Sequence, residues 1–167
     1  MKYLKTYESL KGITFKQWLK MCPHKINTTE IDCSNANLID LNGIEIFTNL
    51  EDLYCDNNQL TSLPDLPSKL KNLSCYNNKL TSLPEELPSN LKFLDCDDNK
   101  LTSLPDLPSK LETLYCYNNK LTELPDLSNL KYLNCWNNNL PYTNLTEYLE
   151  WHKTNYPDIW SAKKYNI

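Results

Sequence analysis

The chain has 167 residues, with 17 Lys, no Arg, 21 acids, a formal net charge of −4, 7 Cys, 2 Gly and no Val. Isolated Gly12 and Gly43 cannot form a glycine-rich phosphate-binding turn, and lone His24 and His152 cannot form an H-E-x-x-H zinc helix. Without Arg there is no arginine finger and no bidentate guanine reader, and the acidic balance argues against nucleic acid as a partner. No cofactor or metal is expected, while 40% hydrophobic residues suffice for a folded core.

The opening MKYLKTYESLKG has charges every few residues and no apolar run, which argues against a secretory signal. No stretch approaches the ~18 apolar residues of a membrane span. An odd number of cysteines in such a chain reads as reduced thiols in a cytoplasmic protein. Residues 1–26 are expected to form a helical cap. Thr14 and Gln17 have capping-box spacing, Phe15, Trp18, Leu19 and Cys22 recur on one helical face, and Pro23 stops the helix.

Residues 27–141 are a repeat. Cys33, Cys55, Cys75, Cys96, Cys116 and Cys135 are spaced by 22, 20, 21, 20 and 19 residues. Around them recurs one phrase: LEDLYCDNNQLTSLPDLPSK from Leu50, LKNLSCYNNKLTSLPEELPSN from Leu70, LKFLDCDDNKLTSLPDLPSK from Leu91, LETLYCYNNKLTELPDLSN from Leu111 and LKYLNCWNNNL from Leu130. The pattern resembles the leucine-rich repeat family, L-x-x-L-x-L-x-x-[NC]-x-L, in its short L-P-x-L-P form found in bacterial effectors and viral proteins. A degenerate first copy has Ile31, Cys33 and Leu38 in place, Ala36 in the Asn position, and a longer tail that turns at Gly43.

The resemblance implies a single α/β-type solenoid. It is a right-handed horseshoe with one parallel β-sheet on the concave face and an extended or polyproline-like convex side. Column chemistry agrees. Period-two alternation turns Leu53, Cys55 and their equivalents inward, Leu60 and Leu63 fill the interior, and Pro64 and Pro67 exclude an ordinary helix behind the strand. The cysteines read as small core hydrophobes rather than metal ligands or disulfides. The resemblance gives Asn58, Asn78, Asn99, Asn119 and Asn138 a structural role, as a ladder bonding the backbone of adjacent turns. Residues 142–167 are expected to be a C-terminal helical cap. It starts at Asn144 and Glu147, carries Leu145, Tyr148, Leu149 and His152 on one face, and gains bulk from Trp151 and Trp160.

In this family the concave face is the usual binding surface. Its side chains are the third (Glu30, Asp52, Asn72, Phe93, Thr113, Tyr132), fifth (Asp32, Tyr54, Ser74, Asp95, Tyr115, Asn134) and seventh (Ser34, Asp56, Tyr76, Asp97, Tyr117, Trp136) of each repeat. The eighth (Asn35, Asn57, Asn77, Asp98, Asn118, Asn137) lies at its margin. No Lys occupies these columns, which hold seven acids and seven aromatics. Residues 1–25 carry a net +5, 26–140 a net −9 and 141–167 zero.

An acidic face orients a basic partner, and exposed Tyr and Trp dominate interface hot spots. The expected function is non-enzymatic: a protein-interaction module binding a basic protein or peptide through Asp52, Tyr54, Asp56, Tyr76, Phe93, Asp95, Asp97, Tyr115, Tyr117, Tyr132 and Trp136. Two alternatives stand beside it. One, implied by the resemblance, is a substrate-recognition arm acting in trans in a ubiquitin-ligase-like effector, since 167 residues leave no room for a catalytic domain. The other is a structural or self-associating protein. The chain is expected to be a monomer or weak homodimer.

Overall fold

In a computed structural model, which describes residues 12–127 and 129–157, every repeat contributes one three-residue strand. These are β1 (Glu30–Asp32), β2 (Asp52–Tyr54), β3 (Asn72–Ser74), β4 (Phe93–Asp95), β5 (Thr113–Tyr115) and β6 (Tyr132–Asn134). They form a single parallel sheet in chain order, and successive repeats pair in register, as in Leu53↔Leu73 and Leu73↔Leu94. The middle residue of each strand points into the coil and is buried, because only it carries a Leu or Ile between outward-facing neighbours.

Behind each strand the leucines close the coil. Leu50, Leu53 and Leu60 are completely buried, as are Leu70, Leu73 and Leu80. Each such side chain contributes about 1.5–3 kcal/mol relative to exposure. The tails of the later repeats are irregular, as their prolines require. Three of them end in a tight turn in which the second Pro carbonyl accepts the N–H of the next leading Leu, Leu70 to Pro67 at 3.1 Å, Leu91 to Pro88 at 2.9 Å and Leu111 to Pro108 at 2.9 Å, and in the fourth Leu127 takes the place of that Pro, accepting from Leu130 at 3.0 Å. The first tail instead holds a 3-10 turn, Ile44–Ile46, entered through Gly43 at φ 102°, a left-handed conformation that favours glycine.

The cysteine column has a reason beyond volume. The thiol of Cys55 donates to the Ser74 carbonyl at 3.2 Å, that of Cys75 to Asp95 at 3.3 Å and that of Cys96 to Tyr115 at 3.3 Å. Each carbonyl also accepts the N–H of the same cysteine, for example Cys55 to Ser74 at 2.9 Å. The sulfur therefore uses the second lone pair of a strand-end carbonyl that a leucine would leave idle. None of the seven cysteines forms a disulfide, and burial pushes the thiols of Cys55, Cys75, Cys96 and Cys116 far above their ordinary range. Thiolate is the reactive form, so iodoacetamide should modify only Cys22 of the native chain, and all seven after unfolding. Intact-mass analysis checks this, and several adducts on folded protein would contradict it.

A helix packs at each end of the solenoid. Helix α1 (Phe15–Met21) has the expected capping box: the Thr14 hydroxyl accepts the Gln17 N–H and the Gln17 side chain accepts the Thr14 N–H. Ile13 bridges to Leu38, and Phe15 packs on Trp18 and Phe47 over the first coil. Helix α2 (Leu145–Asn155) starts at the Asn144 N-cap. Asn144 bridges antiparallel to Asn134, while Tyr142 and Tyr148 are buried. Residues 1–11, which hold much of the basic N-terminal segment, and Trp160 lie outside the described residues.

Candidate partner-binding face

The Asn column sits beside the sheet and ties each turn to its neighbour. Asn78 Nδ2 donates to the carbonyls of Cys55 (3.0 Å), Cys75 (3.1 Å) and Tyr76 (3.2 Å), and its Oδ1 accepts the Leu60 N–H at 3.0 Å. Asn58, Asn99, Asn119 and Asn138 repeat the pattern. Among the described residues no buried side-chain polar atom lacks a partner.

The eighth column, expected at the margin of the binding face, is a turn column. Asn35, Asn57, Asn77, Asp98, Asn118 and Asn137 all have φ between 51° and 57°. Asn and Asp are the non-glycine residues that best tolerate this left-handed region, which explains how the chain turns six coils with only two glycines. Their side chains form a second ladder: Asn77 donates to Asn57 at 2.7 Å, Asn137 to Asn118 at 2.6 Å, and Asn118 to Asp98.

The acids divide into two groups. Asp56, expected on the open face, is only 8% exposed. Its carboxylate accepts the Ser74 hydroxyl at 2.6 Å and the Tyr76 N–H at 3.0 Å. Asp97 likewise accepts the Tyr117 N–H at 2.6 Å, and Asp95 and Asp32 accept the N–H two residues on, at 3.1 and 3.0 Å. A carboxylate at the end of a strand thus holds turn amides that have no strand partner. The sequence hid this role because the strand stops at the fifth residue, and residues six to eight are already turn. Asx-type chemistry ahead of the left-handed residue was the available signal.

Aromatics cover the C-terminal half of the face. Phe93, Tyr115 and Tyr132 run across three strands with centroids 5.7 and 5.2 Å apart. Tyr117 stacks on Trp136 at 4.6 Å with an interplanar angle of 25°. Tyr132 and Trp136 are 49% and 51% exposed. Tyr54 and Tyr76 lie on the other half, Tyr54 beside Asp52 and Glu30, and Tyr76 accepting from Asn57 at 2.8 Å. Asp52 accepts from Asn72 across β2 and β3. The acids of β4 adjoin the aromatic half directly, since Asp95 is the register partner of Tyr115. Off this face, Lys71 pairs with Glu51 at 2.6 Å and Lys131 with Glu112 at 2.8 Å, while Lys69, Lys79 and Lys110 bond Asn49, Gln59 and Asn90.

Partial burial, joined by repulsion from Asp56 and Asp98, raises Asp95 to about 6, and partial burial joined by repulsion from Asp95 and Asp98 raises Asp97 to about 7. The unfolded chain ionises both near ~4, so between these values the folded chain holds more protons. Stability should therefore rise as pH falls from ~8 to ~5. Glu112 and Glu147 are held below the ordinary range by hydrogen bonds from Lys131 and Thr143, and oppose this trend only at lower pH. Asp97→Asn keeps the acceptor for Tyr117 and should raise the melting temperature at pH ~8 and flatten its pH dependence. Equal slopes for the two proteins would contradict this assignment.

Among the described residues no group of three or more His, Cys, Asp or Glu side chains is arranged to hold a metal ion, and no helix is long and apolar enough to cross a membrane. The two histidines lie apart in the caps: His24 stacks on Trp18 at 5.2 Å, and His152 lies tilted against Tyr148 at 4.2 Å.

A six-strand parallel sheet, one strand per coil, with an Asn ladder and a repeated Leu core, defines a leucine-rich repeat solenoid. Leucine-rich repeat models match residues 49–70 and 90–111, and a two-copy model matches 109–149. The chain belongs to the leucine-rich repeat family. It is similar to YopM from Yersinia enterocolitica (36% identity, TM-score 0.68) over 78% of this chain and 27% of that one. It is similar to a Shigella effector leucine-rich repeat domain (35%, 0.69) over 82% and 62%, and to a leucine-rich repeat protein of Leptospira interrogans (27%, 0.53) over 83% and 52%. The chain thus spans less than two thirds of each of these proteins. No curated protein matches it. Domains of this family are typically protein-interaction modules.

Proposed function

We propose that the chain is a non-enzymatic binding module whose concave face takes a basic protein or peptide. The observation that carries the reading is the juxtaposition on β4 and β5. Asp95 at the end of β4 is the register partner of Tyr115 at the end of β5, in the turn that follows the Asp97 carboxylate accepts the Tyr117 N–H, and no lysine occupies the face columns. A Lys or Arg side chain laid across those strands meets a carboxylate and an aromatic face together, which combines charge pairing with cation–π attraction. Tyr132 and Trp136 extend the platform toward the C-terminal end, half exposed and available to a partner. The six buried, protonated thiols suit a reducing compartment.

Affinity capture with the wild-type chain and with a variant carrying Trp136→Ala and Tyr117→Ala tests the reading. A species retained by the first and lost by the second, with both folded, supports it. A species retained equally by both overturns it.

A further inference from the structure

We propose that the concave face seats the two ends of one ligand, an extended peptide that carries an aromatic anchor about six residues from a basic cluster. It rests on the function proposed above and adds an apolar anchor to it. Charge divides along the sheet. The seven acids of the face columns all fall between Glu30 and Asp98, whereas from Thr113 to Asn137 those columns hold no charged residue and four of their eight positions are aromatic. Tyr132 and Trp136 leave about half of their surface open. The platform is fixed before a ligand arrives. The Tyr115 and Tyr132 hydroxyls meet each other, that of Tyr117 meets the Asp98 carboxylate, and Tyr117 stacks on Trp136 at 4.6 Å. With the tyrosine hydroxyls engaged, the surface left over makes little hydrogen-bonding demand. A large planar apolar side chain covers it at little polar cost, and aromatic pairs gain beyond the area they bury.

The other end takes the charge. Tyr54 closes β2, with Asp32 and Ser74 as its register partners. Partial desolvation and the nearby charges of Asp52, Glu30 and Asp32 make its hydroxyl harder to ionise. Glu30 and Asp32 are exposed. Asp32 and Asp52 each spend one oxygen, on the Ser34 N–H and the Asn72 amide, and keep a second. A guanidinium or ammonium over Tyr54 meets a ring and carboxylates together, while a phosphate is repelled. β2 and β6 stand four strand spacings apart, ~19 Å at ~4.8 Å each. An extended chain crosses that span in about six residues. One peptide laid across the strands therefore reaches both seats, and a much shorter one reaches only one of them.

Calorimetric titration of the full chain tests this with acetylated, amidated peptides. Each joins a Lys-Arg-Lys cluster through a Gly-Ser spacer to a single Trp, in either order, with the Arg two, six or ten residues from the Trp. A six-residue peptide with Ala in place of Trp is the control. In at least one order, the six-residue separation should bind about ten-fold or more tighter than the two-residue separation or the control, with the ten-residue separation only slightly weaker. The Trp136→Ala, Tyr117→Ala variant should cut that preference to about two-fold or less and leave the control within about two-fold. Glu30→Gln combined with Asp52→Asn should weaken every peptide, the control included, and flatten the salt dependence. Equal binding at all separations overturns the proposal, as does a preference for Trp that survives the Trp136→Ala, Tyr117→Ala variant. If binding still falls with Glu30→Gln and Asp52→Asn in those cases, the concave face remains a seat for basic peptides without an anchor. Absence of binding by every peptide, or binding indifferent to both variants, overturns the concave-face function as well.

Discussion

Asn78→Ala is expected to lower the unfolding free energy by about 2–3 kcal/mol. The side chain is 8% exposed and makes four backbone hydrogen bonds, three as donor and one as acceptor. Alanine removes all four. The buried Leu60 N–H then has no partner, and the Cys55 and Cys75 carbonyls each lose one on two successive coils. Asn78→Asp sharpens the expectation. It keeps the acceptor for Leu60 but directs a carboxylate at three carbonyl oxygens, so at neutral pH it should destabilise at least as much as alanine despite its near-identical shape. Urea unfolding followed by circular dichroism measures both, and a midpoint unchanged by either substitution would contradict the structural role of the ladder.

Replacing Trp136 and Tyr117 together by alanine is expected to weaken partner binding by about 100-fold, the loss of two hot-spot contacts of moderate size. The pair acts as a unit. Stacked at 4.6 Å and nearly parallel, the rings form one broad platform at the end of the face. Trp136 is 51% exposed, so removing it opens no core cavity and the melting temperature should change little. The effect should thus fall on binding and not on folding, the reverse of Asn78→Ala. A two-fold change or less in affinity would remove these rings from the interface.

Much of the fold is legible in the sequence because the same physical demand recurs in each coil. Leu53, Leu73, Leu94, Leu114 and Leu133 all fill one inward position, and a five-times-repeated amide at Asn58 and its equivalents marks backbone groups that need the same partner. The caps are legible from local rules, with Thr14, Gln17 and Asn144 in the capping positions that the helices use. The candidate site is less legible. Alternation sends every seventh-position residue to the open face, but the chain leaves the strand after Tyr54 or Asp95 and turns left-handed at Asn57 or Asp98. Asp56 is therefore buried against Ser74 and Tyr76 instead of facing a partner. A cavity between helix α2 and the tail of the preceding repeat is invisible to helical periodicity for a different reason. Its walls join Tyr142, which precedes the helix, and Tyr156, which follows it, to Glu123 and Asp126 of a tail about 20 residues upstream. Only tertiary packing brings these segments together.

In the proposed function, the acidic, aromatic concave face binds a basic partner. Its most direct test is the dissociation constant of the captured partner over a range of salt concentrations. It should be measured for the wild-type chain, for the Trp136→Ala, Tyr117→Ala variant, and for a variant with Lys79, Lys100 and Lys120 changed to Gln. These lysines lie at the tenth position, outside the face columns. The predicted result is affinity that falls with added salt, is lost in the aromatic variant and is retained in the lysine variant. Affinity that survives the aromatic substitutions but disappears with the lysines would contradict it.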